Sequence, residues 1–217
     1  MKILNLYAGI GGNRKLWGDE HEITAVEYKP EIAAIYSDLF PNDTMVIGDA
    51  HEYLLKHYRE FDFIWSSPPC PTHSQWGWLR MLPGAGKDAS RKSEIRYPDM
   101  RLYQEILFLT HFFKGKWCVE NVRSYYEPLI PPHHFGGHYF WTNFQMPDFA
   151  GRKRGMSKNY KDENKRLAEK NGFDLSKYKG VNKRLLLRNC VEPELGKHIL
   201  DAAITPYIQN GQLNFTR

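Results

Sequence analysis

A chain of 217 residues with 41% hydrophobic side chains can bury one α/β core plus a small appendage, which excludes wholesale disorder. No apolar run approaches the roughly 18 residues that span a bilayer. Three sparse cysteines, Cys70, Cys118 and Cys190, exclude a disulfide scaffold and imply a reducing, cytoplasmic setting. The net charge of +5 is uneven, because residues 151–189 hold 13 Lys/Arg against 4 Asp/Glu while the remainder holds 17 against 21. That segment reads either as a phosphate-contact region on a mildly acidic body or as a solvated basic linker.

The first strand is expected at Ile3–Tyr7, and its short apolar stretch with one preceding lysine reads as a strand rather than a signal peptide. Glu22–Val26 is the second strand. Pro30–Phe40 is a helix, with proline in its first turn and apolar residues at Ile32, Ile35, Tyr36 and Leu39. Thr44–Ile47 is a third strand and Ala50–Tyr58 a second helix. Phe61–Trp65 is a continuous apolar run of the kind buried on both faces. Residues 67–97 form a long polar loop, and loops of that length in a compact domain are functional or mobile. A helix follows at Pro98–Phe113, a fifth strand at Trp117–Val119, and a last helix from Pro193 to about Tyr207. The alternation predicts an α/β fold with a mostly parallel sheet flanked by helices.

Three runs carry chemistry. Ala8-Gly9-Ile10-Gly11-Gly12 follows the first strand, where glycines let the backbone approach a ligand closely. Glu27 ends the second strand and suits a ribose with free hydroxyls. Together they favour a nucleotide-like cofactor; the loop alone also fits a plain tight turn or a nicotinamide site. Asp49 can accept from an adenine amino group, cap the following helix, or do both. Tyr7 and Tyr28 flank this site, as stacking rings or as core.

The second run is Ser67-Pro68-Pro69-Cys70 with Ser74, just past the fourth strand. Two prolines stiffen the backbone and present Cys70 at the carboxyl edge of the sheet, a better place for a nucleophile than the interior of a strand. Cys70 and His73 could form half of a zinc site, but Cys118 and Cys190 lack partners at ligand spacing, so no metal is expected. The third run is Glu120-Asn121-Val122. A carboxylate leaving an apolar strand is costly to hold as an anion, and a carboxylic acid kept protonated can donate to a ring nitrogen.

In this order and spacing the runs resemble the DNA (cytosine-5) methyltransferase family. Asn5 to Gly12 is similar to its cofactor loop, Glu27-Tyr28 to its ribose carboxylate and adenine-packing ring, and Gly48-Asp49 to its adenine-contacting acid. Ser67 to Cys70 with Ser74 resembles the catalytic loop, and Glu120-Asn121-Val122 the catalytic glutamate motif. Arg188-Asn189-Cys190-Val191, before Pro193 and Leu195, is similar to the last motif, which returns to the cofactor. Pro71 stands where the family has glutamine. His138 to Asn143 stands where the family has a Gln-x-Arg-x-Arg strand, with His138 and Asn143 as candidate substitutes for the arginine.

The resemblance implies a Rossmann-like class I S-adenosylmethionine-dependent methyltransferase. Its catalytic domain would comprise residues 1–145 and 187–217, and residues 146–186 a short basic target-recognition region. The implied catalytic residues are Cys70, Glu120, Ser74 and Asn121. The cofactor S-adenosyl-L-methionine would meet Tyr7, Ala8, Gly9, Ile10, Gly11, Gly12, Glu27, Tyr28, Asp49, Ala50, Pro68, Asn189 and Val191. Arg152, Lys153, Arg154, Lys183 and Arg184 would contact double-stranded DNA, with the protein a monomer on DNA. So short a reading segment implies a short or degenerate target, as in a compact restriction-modification or viral enzyme. The alternatives are a tRNA cytosine-C5 methyltransferase and a catalytically silent DNA-binding homologue.

Overall fold

The computed structural model describes residues 1–79, 97–149, 163–205, 208–209 and 212–213. Seven strands form one sheet: β1 Lys2–Leu6, β2 Glu22–Glu27, β3 Thr44–Ile47, β4 Phe63–Ser66, β5 Lys116–Val122, β6 His133–Phe135 and β7 His138–Thr142. Their order is β3-β2-β1-β4-β5-β7-β6. The first five are parallel, and β7 pairs antiparallel with β5 and with β6. The helices are α1 Pro30–Leu39, α2 Ala50–His57, α3 Gln75–Leu79, α4 Arg101–Phe112, α5 Glu163–Asn171, α6 Lys183–Arg188 and α7 Pro193–Ile204. A separate short hairpin joins β8 Ile208–Gln209 to β9 Gln212–Leu213.

Side-chain alternation sorts the strands between two cores. Leu4, Ile64 and Val119 face α2 and α4, packing with Leu54, Leu102, Ile106 and Leu109. Their neighbours Ile3, Phe63, Trp65 and Cys118 face the other way, packing with Trp17, Leu195 and Ile199 of α7. A sheet buried on both faces explains the unbroken apolar run of β4.

Several boundaries differ from the sequence reading. β1 stops at Leu6, because Tyr7 takes a left-handed backbone with φ of 55°. β4 begins at Phe63, two residues later than predicted. The predicted Pro98–Phe113 helix is α4, beginning at Arg101, and the last helix ends at Ile204. β5 runs on to Val122, so Glu120 and Asn121 lie inside the strand rather than after it. The cause is β7: Phe140 pairs with Glu120 and His138 with Val122, extending the ladder beyond its parallel partner β4. α5 and α6 arise in the basic stretch, where helical periodicity was weak because α5, Glu163–Asn171, is almost wholly polar.

Helix α7 leans on the loop after β1. Trp17 Nε1 donates to the Gly196 carbonyl at 3.1 Å, and a Cβ at position 196 would meet the Asn13 carbonyl oxygen at 2.3 Å. Alanine for glycine inside a helix ordinarily gains about 1 kcal/mol. Here the backbone clash outweighs it, and Gly196→Ala should destabilise by roughly 1–3 kcal/mol in urea unfolding. A stabilised variant would contradict this packing.

Candidate active site

The strand order reverses between β2-β1 and β4-β5, so loops leaving β1 and β4 diverge and open a crevice at the carboxyl ends of these strands. The glycine loop leaves β1 and the Cys70 loop leaves β4. The Ser67 N–H still reaches the Leu6 carbonyl at 3.4 Å, which keeps the two exits side by side.

On the glycine side, Glu27 organises the backbone. Its Oε2 accepts from the Gly9 N–H and its Oε1 from the Lys29 N–H, each at 3.0 Å. Tyr7, Gly9 and Gly11 all have positive φ, a conformation that costs a non-glycine residue on the order of 1–3 kcal/mol. Tyr7 is held there by its hydroxyl, which donates to Glu105 Oε1 at 2.6 Å. Burial, and then the charge of Glu105, pushes the Tyr7 phenol well above its ordinary range. The glycines serve different ends. A Cβ on Gly9 would meet open space, whereas one on Gly11 would strike Phe40 at 2.4 Å and one on Gly12 the Cys190 Cβ and the Val191 carbonyl at 2.7 Å. The predicted return of Cys190-Val191 to the loop is therefore present as a backbone contact.

Asp49 caps α2, accepting from the Glu52 N–H at 3.0 Å, and its other oxygen lies 3.7 Å from Arg101. The Tyr28 ring is 73% exposed and belongs to no core. The side chains of Ala8, Ile10, Ala50 and Val191 are buried, so these positions offer a ligand only backbone. Asn189 caps α6 through its backbone, and its side chain is exposed.

On the cysteine side, Pro68 is buried and its carbonyl accepts from Asn121 Nδ2 at 3.0 Å, while Asn121 Oδ1 accepts from the Val122 N–H at 2.9 Å. Asn121, 2% exposed, thus ties the Cys70 loop to β5. Both bonds of its amide run to backbone groups. The Cys70 carbonyl accepts from the N–H groups of His73 and Ser74 at 3.0 and 3.1 Å, closing a turn. Ser74 Oγ then accepts from Gly77 N–H at 3.2 Å, starting α3, and Ser74 bridges to Ser124. Its visible role is to hold the turn.

His73 is almost fully buried. Its Nε2 lies 3.1 Å from the Asp99 carbonyl, which only accepts, so Nε2 carries the proton and Nδ1 accepts from Tyr126 at 2.6 Å. Burial holds His73 below its ordinary value, which keeps it neutral, and both ring nitrogens have partners within the protein. The Tyr125 N–H donates to the His73 carbonyl, and Tyr125 stacks on Trp78 with centroids 5.7 Å apart. The loop bearing Cys70 is thereby fastened to the segment that follows Glu120.

Cys70 is partly exposed and Glu120 buried. Burial first, and the charge of Glu120 second, pushes the Cys70 thiol up to about 11. Cys70 lies in the loop that leaves β4, and Glu120 lies on β5, the parallel neighbour of β4. Of the two candidates for the missing arginine, Asn143 is at the wrong end. It bonds the Trp117 N–H and the Gly115 carbonyl at the start of β5. His138 pairs with Val122 and shares the face of Glu120 at its carboxyl end.

Arg152, Lys153 and Arg154 lie outside the described residues. Lys183 donates to the Ser176 carbonyl, and Arg184 and Arg188 both hold Glu163, so Lys183 and Arg184 have partners within their own segment. Phe173, Leu175, Leu186 and Leu187 share a core with Ile10 and Ile35, which fastens this segment to the glycine loop and α1.

Glu105 was missed by sequence reading. It is fully buried in α4 and accepts from Tyr7, His51 and Ser66. The signal was legible: Leu102, Glu105, Ile106 and Leu109 fall on one helical stripe, and an acid on an apolar stripe demands buried partners.

Residues 1–123 match the family described as C-5 cytosine-specific DNA methylase, more than half of the chain. The chain belongs to that family. It is a Rossmann-like methyltransferase whose methyl donor is S-adenosyl-L-methionine. No curated protein matches it.

Among solved structures, a hypothetical protein of Thermus thermophilus is 16% identical with a TM-score of 0.41, covering 65% of this chain and 73% of its own. A DNMT2 mutant of Spodoptera frugiperda is 24% identical with a TM-score of 0.36, covering 56% of this chain and 35% of its own. A putative DNA modification methyltransferase from an E. coli prophage is 17% identical with a TM-score of 0.38, covering 58% and 33%. This chain thus spans about a third of the latter two. The family match, not these partial likenesses, carries the functional reading. No helix among the described residues is long and apolar enough to cross a membrane.

The crevice fits such a donor on its own chemistry. Glu27 is a carboxylate beside the open space over Gly9, and Tyr28 and Ile47 present exposed apolar surface nearby on neighbouring strand ends. A ribose diol and an adenine ring ask for those two kinds of surface.

The raised thiol makes a measurable claim about the free protein. Iodoacetamide alkylation of Cys70, followed by peptide mass spectrometry, should speed up with pH and level off only near 11. A plateau at or below the ordinary thiol value would show that burial and Glu120 do not act on it.

Proposed function

We propose that the protein methylates C5 of cytosine in double-stranded DNA through a covalent bond between Cys70 and C6. The observation that carries this is the pairing of β4 with β5: the Cys70 loop leaves β4 beside the strand that bears Glu120, Asn121 bonds the Pro68 carbonyl, and the exit of the glycine loop lies alongside. Duplex cytosine is stacked and out of reach, so the base is turned out of the helix into the crevice. C5 is a poor nucleophile until C6 is attacked. The Cys70 thiolate forms the S–C6 bond, electron density moves onto N3, and Glu120 donates its proton there, leaving C5 as an enamine carbon.

Bound S-adenosyl-L-methionine supplies the electrophilic methyl group for that carbon. Loss of the C5 proton to a base then restores the C5–C6 double bond and expels Cys70, and Glu120 recovers the N3 proton.

Glu27 would hold the ribose hydroxyls, and its bonds to the Gly9 and Lys29 N–H groups fix its rotamer. Tyr28 and Asp49 would border the adenine. His138 takes the place of the family's arginine. Residues 146–186, with Arg152, Lys153, Arg154, Lys183 and Arg184, contact DNA phosphates in a sequence-tolerant way. The remainder forms the catalytic domain, acting as a monomer in the cytoplasm.

Cys70→Ala should cut methyl transfer to duplex DNA by more than about a thousandfold while leaving calorimetric binding of S-adenosylhomocysteine intact. Methylation by that variant would remove Cys70 as nucleophile. Transfer of a labelled methyl group should favour duplex DNA over tRNA. The opposite preference would make RNA the substrate.

A further inference from the structure

Glu105 is in none of the motifs that define the site, yet it touches segments that carry three of them. Tyr7 opens the glycine loop, His51 stands two residues past Asp49 in α2, and Ser66 immediately precedes Ser67-Pro68-Pro69-Cys70. The Tyr7 hydroxyl donates to Glu105 Oε1 at 2.6 Å, His51 Nδ1 donates to the same oxygen at 3.0 Å, and Ser66 Oγ donates to Oε2 at 2.5 Å. Ser66 and Glu105 are fully buried, and His51 is only partly exposed. Three donors converge on one carboxylate from three chain segments.

We infer that Glu105 is the positioning residue that holds the cofactor loop and the cysteine loop in one fixed relation. This rests on the function proposed above. Tyr7 keeps a left-handed backbone that a tyrosine resists, and its hydroxyl is anchored on Glu105, so the bond holds the loop in the shape that aims the Gly9 N–H at Glu27. Ser66 ends the strand that delivers Cys70, and the second oxygen of the same carboxylate anchors it. A carboxylate accepts on both oxygens and donates nothing, so a rigid acceptor shared by two loops keeps the methyl donor and the nucleophile in register. The hydrogen bond to Glu105 also holds His51 above its ordinary value, which makes the third contact charge-assisted.

The two arms of the hub predict separable defects. Tyr7→Phe should weaken S-adenosylhomocysteine binding by about tenfold in calorimetry, with a raised KM for the donor and little change in kcat. Ser66→Ala should leave donor binding within about twofold and slow single-turnover methyl transfer about tenfold. Glu105→Gln places an amide where an acceptor is required and should show both defects together. Combined with either single variant it should add little further loss.

If Glu105→Gln fails to fold, the two single variants still decide the matter. Equal donor binding and equal single-turnover rates in both of them would overturn the inference, as would the same mixed defect in each. If the unaltered protein neither binds S-adenosylhomocysteine nor transfers methyl to DNA, the proposed function itself fails and takes this inference with it. Normal wild-type behaviour with silent variants removes only the inference.

Discussion

The chemistry depends on the register between β4 and β5. Ser66 lies beside Val119, which puts the loop bearing Cys70 directly next to Glu120. Strand side chains alternate faces, so a slip of one residue would send Glu120 into the opposite core. Two kinds of contact secure the register. Above it, Asn121 grips the Pro68 carbonyl. Around it, Val119 and Cys118 anchor opposite faces of the sheet, each fully buried. A parallel pair alone would end at Val119; β7 carries β5 three residues further, and Glu120 and Asn121 lie on that extension.

The same logic governs the cofactor side. A loop with three left-handed positions among five residues is not one that the backbone takes freely. It persists because Glu27, Glu105, Phe40 and the Cys190-Val191 turn close on it from four directions. The appendage belongs to this closure. Phe173 and Leu187 pack with Ile10, so the segment proposed to meet DNA is mechanically continuous with the glycine loop. Such continuity gives a physical route by which substrate and cofactor binding can influence each other.

Much of this was legible in the sequence. The parallel sheet followed from alternating apolar runs and helical periods, and the glycine loop, Glu27, Asp49 and Cys70 fall at the carboxyl ends of parallel strands, whereas Glu120 lies inside β5. What was not legible depended on tertiary partners. The extension of β5 required a β6–β7 hairpin whose His-rich, aromatic sequence gives little alternation. α5 is too polar to betray itself without α6. Asn121 and Ser74 stand in the motifs expected to be catalytic, and their bonds to backbone groups could not be read from sequence. Asn143 and His138 were indistinguishable as arginine substitutes until the antiparallel register set them at opposite ends of β7.

The central claim is a covalent bond at Cys70, and trapping it is the most direct measurement. Duplex DNA containing 5-fluorocytosine blocks loss of the C5 substituent, so an enzyme of this kind stalls with its nucleophile attached to the base. Mass spectrometry of the unaltered protein incubated with S-adenosyl-L-methionine and that duplex should find the adduct on the peptide carrying Cys70. An adduct on another residue, or full methylation of ordinary cytosine by a protein that never forms one, would contradict the account.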